Sequence, residues 1–300
     1  MDAVVFPGQG SQRPGMGAPW AATPAWRAVG LVSDVLRRDV AALLLDADAA
    51  TLQATRNAQV ASFALGLVIL EAARDAGLGW GAAAGHSLGE YTALVAAGVL
   101  GAEDAARLVG ERAEAMQAAA EERPGTMAAV LGLDADAVQA SCDAAGGEAW
   151  MANDNAPGQI VVAGTHDGVA AAGAAAKERG GKVMALAVGG AFHTPLMAGA
   201  QARLDAALAA APFADAAAPV VANVDAAPHR SGADWAPLLS GQLCRPVRWR
   251  EAILAMPGLG VGRVVELGPG AVLSGMVKRI APDLERLAVG APEDLATATA

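Results

Sequence analysis

Short apolar runs alternate along this chain with longer stretches whose apolar positions recur at helical spacing. It opens on Ala3-Val4-Val5-Phe6, the length and composition of a buried strand. Residues 60–70 are apolar almost throughout and end at Glu71; too short to span a bilayer, they read as a buried helix. Gly81-Ala82-Ala83-Ala84 predicts a second short strand. A helix over 88–100 follows, with Leu88, Tyr91, Leu94 and Val95 at helical spacing, and another over 103–120.

After Arg123-Pro124-Gly125 the pattern becomes more regular. A strand over 126–133, a helix over 134–145, strands over 148–153 and 159–163 around an Asn-Asp-Asn-Ala-Pro-Gly turn, a helix over 166–179 and a strand over 182–188 give the order βαββαβ. That order is a ferredoxin-like unit, here of about 65 residues. Beyond Gly189-Gly190 come a helix over 195–211 and strands over 219–223 and 263–266, the last ending in Leu267-Gly268-Pro269-Gly270. The expectation is therefore one large α/β domain, residues 1–124 and 190–300, interrupted by a small ferredoxin-like domain, residues 125–189. A cleft between two such domains is a common place for an active site.

Composition agrees with a globular α/β protein: 54% hydrophobic and 4% aromatic over 300 residues. The net charge of −10 argues against nucleic acid, whose phosphates need a basic surface. A local basic patch for an acidic protein partner could draw on Lys177, Arg179, Lys182, Lys278 and Arg279, although each alone reads as solvated. Cys142 and Cys244 make neither a disulfide framework nor a metal-ligand pattern. No basic segment with a signal-length apolar run precedes the first strand, so a cytoplasmic protein is expected, away from membranes.

The chemistry concentrates at Gly85-His86-Ser87-Leu88-Gly89-Glu90. Glycines two positions either side of a serine permit a sharp strand-to-helix corner that exposes the hydroxyl at a helix N-terminus, where backbone N–H groups can hold an oxyanion. With 36 glycines in the chain, the G-x-S-x-G spacing alone would arise by chance roughly 0.12 times. The serine needs a base, and there are four histidines. His86 adjoins the serine and reads as structural, while His166 and His229 read as surface residues. His193 lies in Gly189-Gly190-Ala191-Phe192-His193-Thr194-Pro195, at the second domain junction, and is the candidate base. Arg112, between Glu111 and Glu114 in a helix, reads on its own as a surface arginine paired with those neighbours.

Taken together, Phe6-Pro7-Gly8-Gln9-Gly10-Ser11-Gln12, the Gly85–Glu90 hexamer and Ala191-Phe192-His193 resemble the malonyl-CoA:acyl carrier protein transacylases. Further matches are Asn57-Ala58-Gln59, Asn155-Ala156-Pro157-Gly158-Gln159, Gln242-Leu243 with Pro246-Val247, and Glu266-Leu267-Gly268-Pro269-Gly270, in order from about residue 4 to residue 280. The resemblance implies an α/β-hydrolase-like large domain with a ferredoxin-like small domain. It implies Ser87 as nucleophile, His193 as general base and acid, and the Gln9 and Leu88 amides as oxyanion donors. The backbone carbonyl of Gln242 would orient His193 in place of a triad aspartate. It reverses the reading of Arg112, which would grip the malonyl carboxylate, with Phe192 and Gln59 also at the substrate. Ala113 and Ala156 depart from the family's frequent glycine and serine.

The activity so implied moves a malonyl group from coenzyme A to the phosphopantetheine thiol of an acyl carrier protein through a seryl ester. It needs no metal and no cofactor beyond the thioester substrate, and a monomer is expected. Because a base must be neutral, activity should fall at acid pH. Transfer of another acyl group, including from one carrier protein to another, is the nearest alternative. A hydrolase of the ordinary α/β type would place its histidine late, after an acid, and a non-catalytic scaffold would not need this residue set.

Overall fold

The computed structural model describes all residues 1–300 and contains two β-sheets. The first is built from β1 (Asp2–Phe6), β2 (Ala82–Gly85), β7 (Val220–Val221), β8 (Pro228–His229), β9 (Arg263–Leu267) and β10 (Glu285–Val289). Their order is β10-β9-β1-β2-β7-β8, parallel except for the last pair. Its central strands read as continuous apolar runs because helices cover both faces. On one side lies the largest cluster of buried side chains, where the Thr55–Asp75 helix packs against the Ala102–Glu122 helix. On the other, Val5, Ala84 and Val221 meet Trp249, Ile253 and Leu273.

The second sheet draws β3 (Thr126–Leu131), β4 (Ala149–Ala156), β5 (Gln159–Gly164) and β6 (Lys182–Ala185) into the antiparallel order β4-β5-β3-β6, the ferredoxin-like arrangement. The period of two along its strands gives it two buried faces. Ala128, Val130, Ile160 and Val162 pack under the helices Ala135–Ala144 and His166–Glu178, whereas Met127, Val161 and Ala163 join the core of the large sheet. β4 is also tied to the segment that leads into the Trp249–Ala255 helix: Asp154 N–H donates to the Val247 carbonyl, Val247 N–H donates to the Ala152 carbonyl, and Arg250 clasps the Asp154 carboxylate at 2.7 Å.

Several elements differ from the sequence expectation. The helix after the serine ends at Ala96 rather than residue 100, because Gly98 turns left-handed at φ +77°. β4 runs on through Asn153, Asp154 and Asn155, and only Pro157-Gly158 makes the turn. The bonds to Val247 hold those polar residues extended, and they are invisible in the local pattern. β6 stops at Ala185, since Leu186 to Val188 leave the sheet edge to line the cleft. Strands β8 and β10 were not anticipated. β8 has two residues, and β10 is an edge strand with only its last residue buried, so neither carries a strong period.

The corner between β2 and the Gly89–Ala96 helix depends on its glycines. A Cβ on Gly85 would fall inside the Gly89 backbone, and one on Gly89 would strike the Phe6 carbonyl oxygen. Gly85→Ala should therefore lower stability by about 2 kcal/mol or more in urea unfolding, whereas Gly79→Ala, with open space around it, should change it by less than about 0.5 kcal/mol. Equal effects would contradict this account of the corner.

Candidate active site

Ser87 stands at that corner with φ +53°, a conformation costly to a residue with a Cβ and upheld here by its surroundings. Its own N–H donates to Asn223 Oδ1 at 2.7 Å, and Asn223 Nδ2 donates to the Gly85 carbonyl at 2.7 Å, so one side chain clamps both sides of the turn. The Ser87 hydroxyl lies 2.8 Å from His193 Nε2. His193, at φ +60° and 4% exposed, is held in turn by its Nδ1, which donates to the Gln242 backbone carbonyl at 2.7 Å. With Nδ1 carrying the proton, Nε2 presents a lone pair to the serine O–H. Burial, and then the Arg112 charge, push the imidazole pKa down to about 3 against the pull of the Gln242 bond.

Arg112 is buried, 1% exposed, not a surface residue: Glu111 and Glu114, its expected partners, pair instead with Arg203 and Arg56. Its Nη1 donates to Gln59 Oε1 at 2.6 Å, and its Nη2 donates to Gln242 Oε1 at 2.9 Å and to Ser87 Oγ at 3.1 Å. The Tyr91 ring lies 5.7 Å from its guanidinium carbon. Every partner is neutral, and burial lowers its pKa while Tyr91 and Glu90 oppose the shift.

Gln9, Ser87, Arg112, Phe192 and His193 all line one cavity of about 200 Å³ between the two sheets, with Met127 and Val161 from the small sheet on its far wall. Gln59 does not reach that wall; it sits behind Arg112 and supports it. The Leu88 side chain is buried, but its backbone N–H and that of Gln9 donate to no group of the chain. The Gly8 backbone brings the two close, since a Cβ there would lie 3.4 Å from the Leu88 nitrogen. His86 Nε2 donates to Asn155 Oδ1 at 2.8 Å and packs edge-on to Trp249, which fits a structural part. His166 is exposed as expected, but His229 is half-buried between the Asp225 and Asp234 carboxylates. A larger groove of about 580 Å³, beside Leu36, Arg107 and Ala211, offers neither serine nor histidine. No helix is long and apolar enough to cross a membrane.

Three residues of this network carried no assignment from sequence: Glu90, Asn223 and the side chain of Gln242. Glu90 could have been noticed as the one charge among Leu88, Tyr91, Leu94 and Val95 on a buried helix. Asn223 lies two residues past β7, without any local signal.

The acyl transferase domain family model matches residues 3–289. A malonyl CoA-acyl carrier protein transacylase of Bacillus subtilis is 41% identical over 299 residues, covering 98% of this chain and 94% of its own. The chain belongs to the malonyl-CoA:acyl carrier protein transacylase family. Among solved structures similar to it, a malonyl-transacylase in complex with its type II polyketide synthase acyl-carrier protein aligns at TM-score 0.95 with 39% identity, covering 99% of this chain and 98% of that one. An acyl carrier protein S-malonyltransferase from Vibrio cholerae aligns at 0.94 with 39% identity, covering 99% of each chain. The family's hydrolase-like sheet and ferredoxin-like sheet are the two described above.

The depressed pKa of His193 has a testable sign. Below pH 6.5 the unfolded chain takes up a proton here that the folded chain refuses until about pH 3, so this group destabilises the fold as pH falls through that window. A magnetic resonance titration should show His193 neutral from pH 8 down to 5. An inflection near 6.5 would contradict the burial argument.

Proposed function

We propose that this protein transfers a malonyl group from malonyl-CoA to the phosphopantetheine thiol of an acyl carrier protein. The observation that carries the reading is a buried guanidinium with only neutral partners, 3.1 Å from the hydroxyl of a serine that also meets a neutral imidazole. A carboxylate on the acyl group would give Arg112 the charged partner it lacks, through parallel N–H donors. An acetyl group would leave it unpaired, which is the condition for strong discrimination.

In the first half-reaction Ser87 Oγ attacks the thioester carbonyl carbon while His193 Nε2 takes the hydroxyl proton. The negative charge that develops on the carbonyl oxygen is held by the Gln9 and Leu88 N–H groups, which point at no other acceptor. Collapse of the tetrahedral species breaks the C–S bond, and His193 returns the proton to the departing coenzyme A sulfur. The malonyl ester of Ser87 then undergoes the same steps in reverse order with the carrier thiol: His193 takes the thiol proton, sulfur attacks, and the proton returns to Ser87 Oγ. Atoms and charge balance without a cofactor. The Gln242 carbonyl keeps the proton on Nδ1 throughout and stabilises the imidazolium between transfers, the part an aspartate plays in a triad.

In this proposal residues 125–189 act as a small domain that roofs the acyl pocket, with Phe192 restricting the space beside the malonyl carbon. All of these groups come from one chain, which supports a monomer as the working unit. The unpaired Cys142 and Cys244 suit a reducing cytoplasm.

Intact-mass analysis after exposure to a mixture of acetyl-, malonyl- and methylmalonyl-CoA tests nucleophile and selectivity together. The expected product is a single malonyl adduct, absent from Ser87→Ala. Arg112→Ala should lower kcat/KM for malonyl-CoA at least about a hundredfold while sparing acetyl-CoA. Malonyl preference that survives the loss of Arg112 would overturn the proposal.

A further inference from the structure

Glu90, on the helix that starts just after Ser87, is a buried carboxylate that the proposed reaction leaves unused. Both of its oxygens are occupied. Oε1 accepts from the Asn223 backbone N–H at 2.7 Å, and Oε2 accepts from Gln242 Nε2 at 2.5 Å. The same Nε2 donates to the Ser87 carbonyl at 2.9 Å, and the other end of that amide, Oε1, accepts from Arg112 Nη2 at 2.9 Å. An amide turned the other way would set its NH₂ against the guanidinium and its oxygen against the carboxylate. Donor would face donor and acceptor would face acceptor in a dry interior, where mismatches are costly. The carboxylate at 90 therefore decides which end of Gln242 meets Arg112.

The placement has a second consequence. A carboxylate in direct contact with Arg112 would neutralise it and compete with the substrate for its N–H groups. Glu90 stands one side chain away, so its charge favours the buried guanidinium without occupying it, and no carboxylate lies within ion-pair distance of Arg112. We propose that Glu90 is a positioning residue for acyl selectivity, acting through the Gln242 amide to hold Arg112 beside Ser87 with its charge open to a substrate carboxylate. The inference rests on the proposed function and deepens it. Burial pushes the Glu90 carboxyl up to about 8, opposed by the Asn223 and Gln242 donors and by Arg112, so the carboxylate form that this arrangement needs dominates above that value and the ratio below is read at about pH 9.

Glu90→Gln keeps the volume and leaves one oxygen for two N–H donors. The backbone N–H of Asn223 cannot turn away, so the Gln242 amide must, and Arg112 loses its acceptor. The readout is the ratio of kcat/KM for malonyl-CoA to that for acetyl-CoA, which a loss of fold or of serine geometry alone would not move. The ratio should fall about tenfold or more in Glu90→Gln. It should fall similarly in Gln242→Met, which retains the backbone carbonyl on His193. The double variant should have a ratio no lower than Gln242→Met alone, because the carboxylate acts through that amide.

A ratio unchanged in Glu90→Gln, whatever the loss in total rate, would overturn the inference, as would independent multiplication of the two effects. Should Glu90→Gln fail to fold by circular dichroism, Gln242→Met decides alone, and a retained ratio overturns the inference. A wild-type protein that loads acetyl as readily as malonyl would remove the proposed function itself, whereas a wild-type preference surviving Glu90→Gln removes only the part given to Glu90.

Discussion

A guanidinium taken out of water without a carboxylate beside it carries a desolvation cost of several kcal/mol, and much of the centre of this fold is arranged around that cost at Arg112. Two amide oxygens, from Gln59 and Gln242, and the hydroxyl of Ser87 accept its N–H groups, while the Tyr91 ring lies nearby. Each partner comes from a different helix or from the corner, so the arginine joins the Thr55–Asp75 helix, the Trp235–Gln242 helix and the strand-to-helix turn. What the chain withholds is a direct counter-charge. The site is left with a cation that polar neutral groups steady and that an anionic acyl group would complete.

The nucleophile depends on the same arrangement. Ser87 and His193 both adopt left-handed backbone conformations, and both are tied to Gln242, one through its side chain and the other through its main chain. The residue that orients the base thus also sets the acceptor for the arginine. Asn223 and Glu90 extend the network to the Gly85 side of the corner. Strain at two reacting residues is offset by hydrogen bonds that converge on a small number of buried side chains. Such a network transmits a single change to both nucleophile and selectivity, and the two need separate readouts.

Much of this was legible in the sequence. The glycines around Ser87 predicted the corner because only a missing Cβ permits the contacts seen at Gly85 and Gly89. The βαββαβ alternation predicted the second sheet because its strands obey a period of two. Arg112 was different. In its helix it sits among glutamates, and nothing in the local pattern distinguishes it from a solvated residue; only the family resemblance pointed inward. Glu90 and Asn223 were missed for the converse reason, since their partners lie more than a hundred positions away. The extension of β4 through Asn153 to Asn155 was hidden likewise, being held by Val247 from another part of the chain. Local periodicity reports which face a residue presents, not which distant group satisfies it.

The central claim is that Arg112 is the unpaired cation awaiting an acyl carboxylate. A crystal structure of the malonyl ester trapped on Ser87 tests it most directly. The account predicts the free carboxylate within about 2.7–2.9 Å of guanidinium nitrogens, with the ester carbonyl oxygen facing the Gln9 and Leu88 amides. A carboxylate turned away toward solvent, with Arg112 still bound to Ser87 Oγ and Gln242 alone, would contradict it.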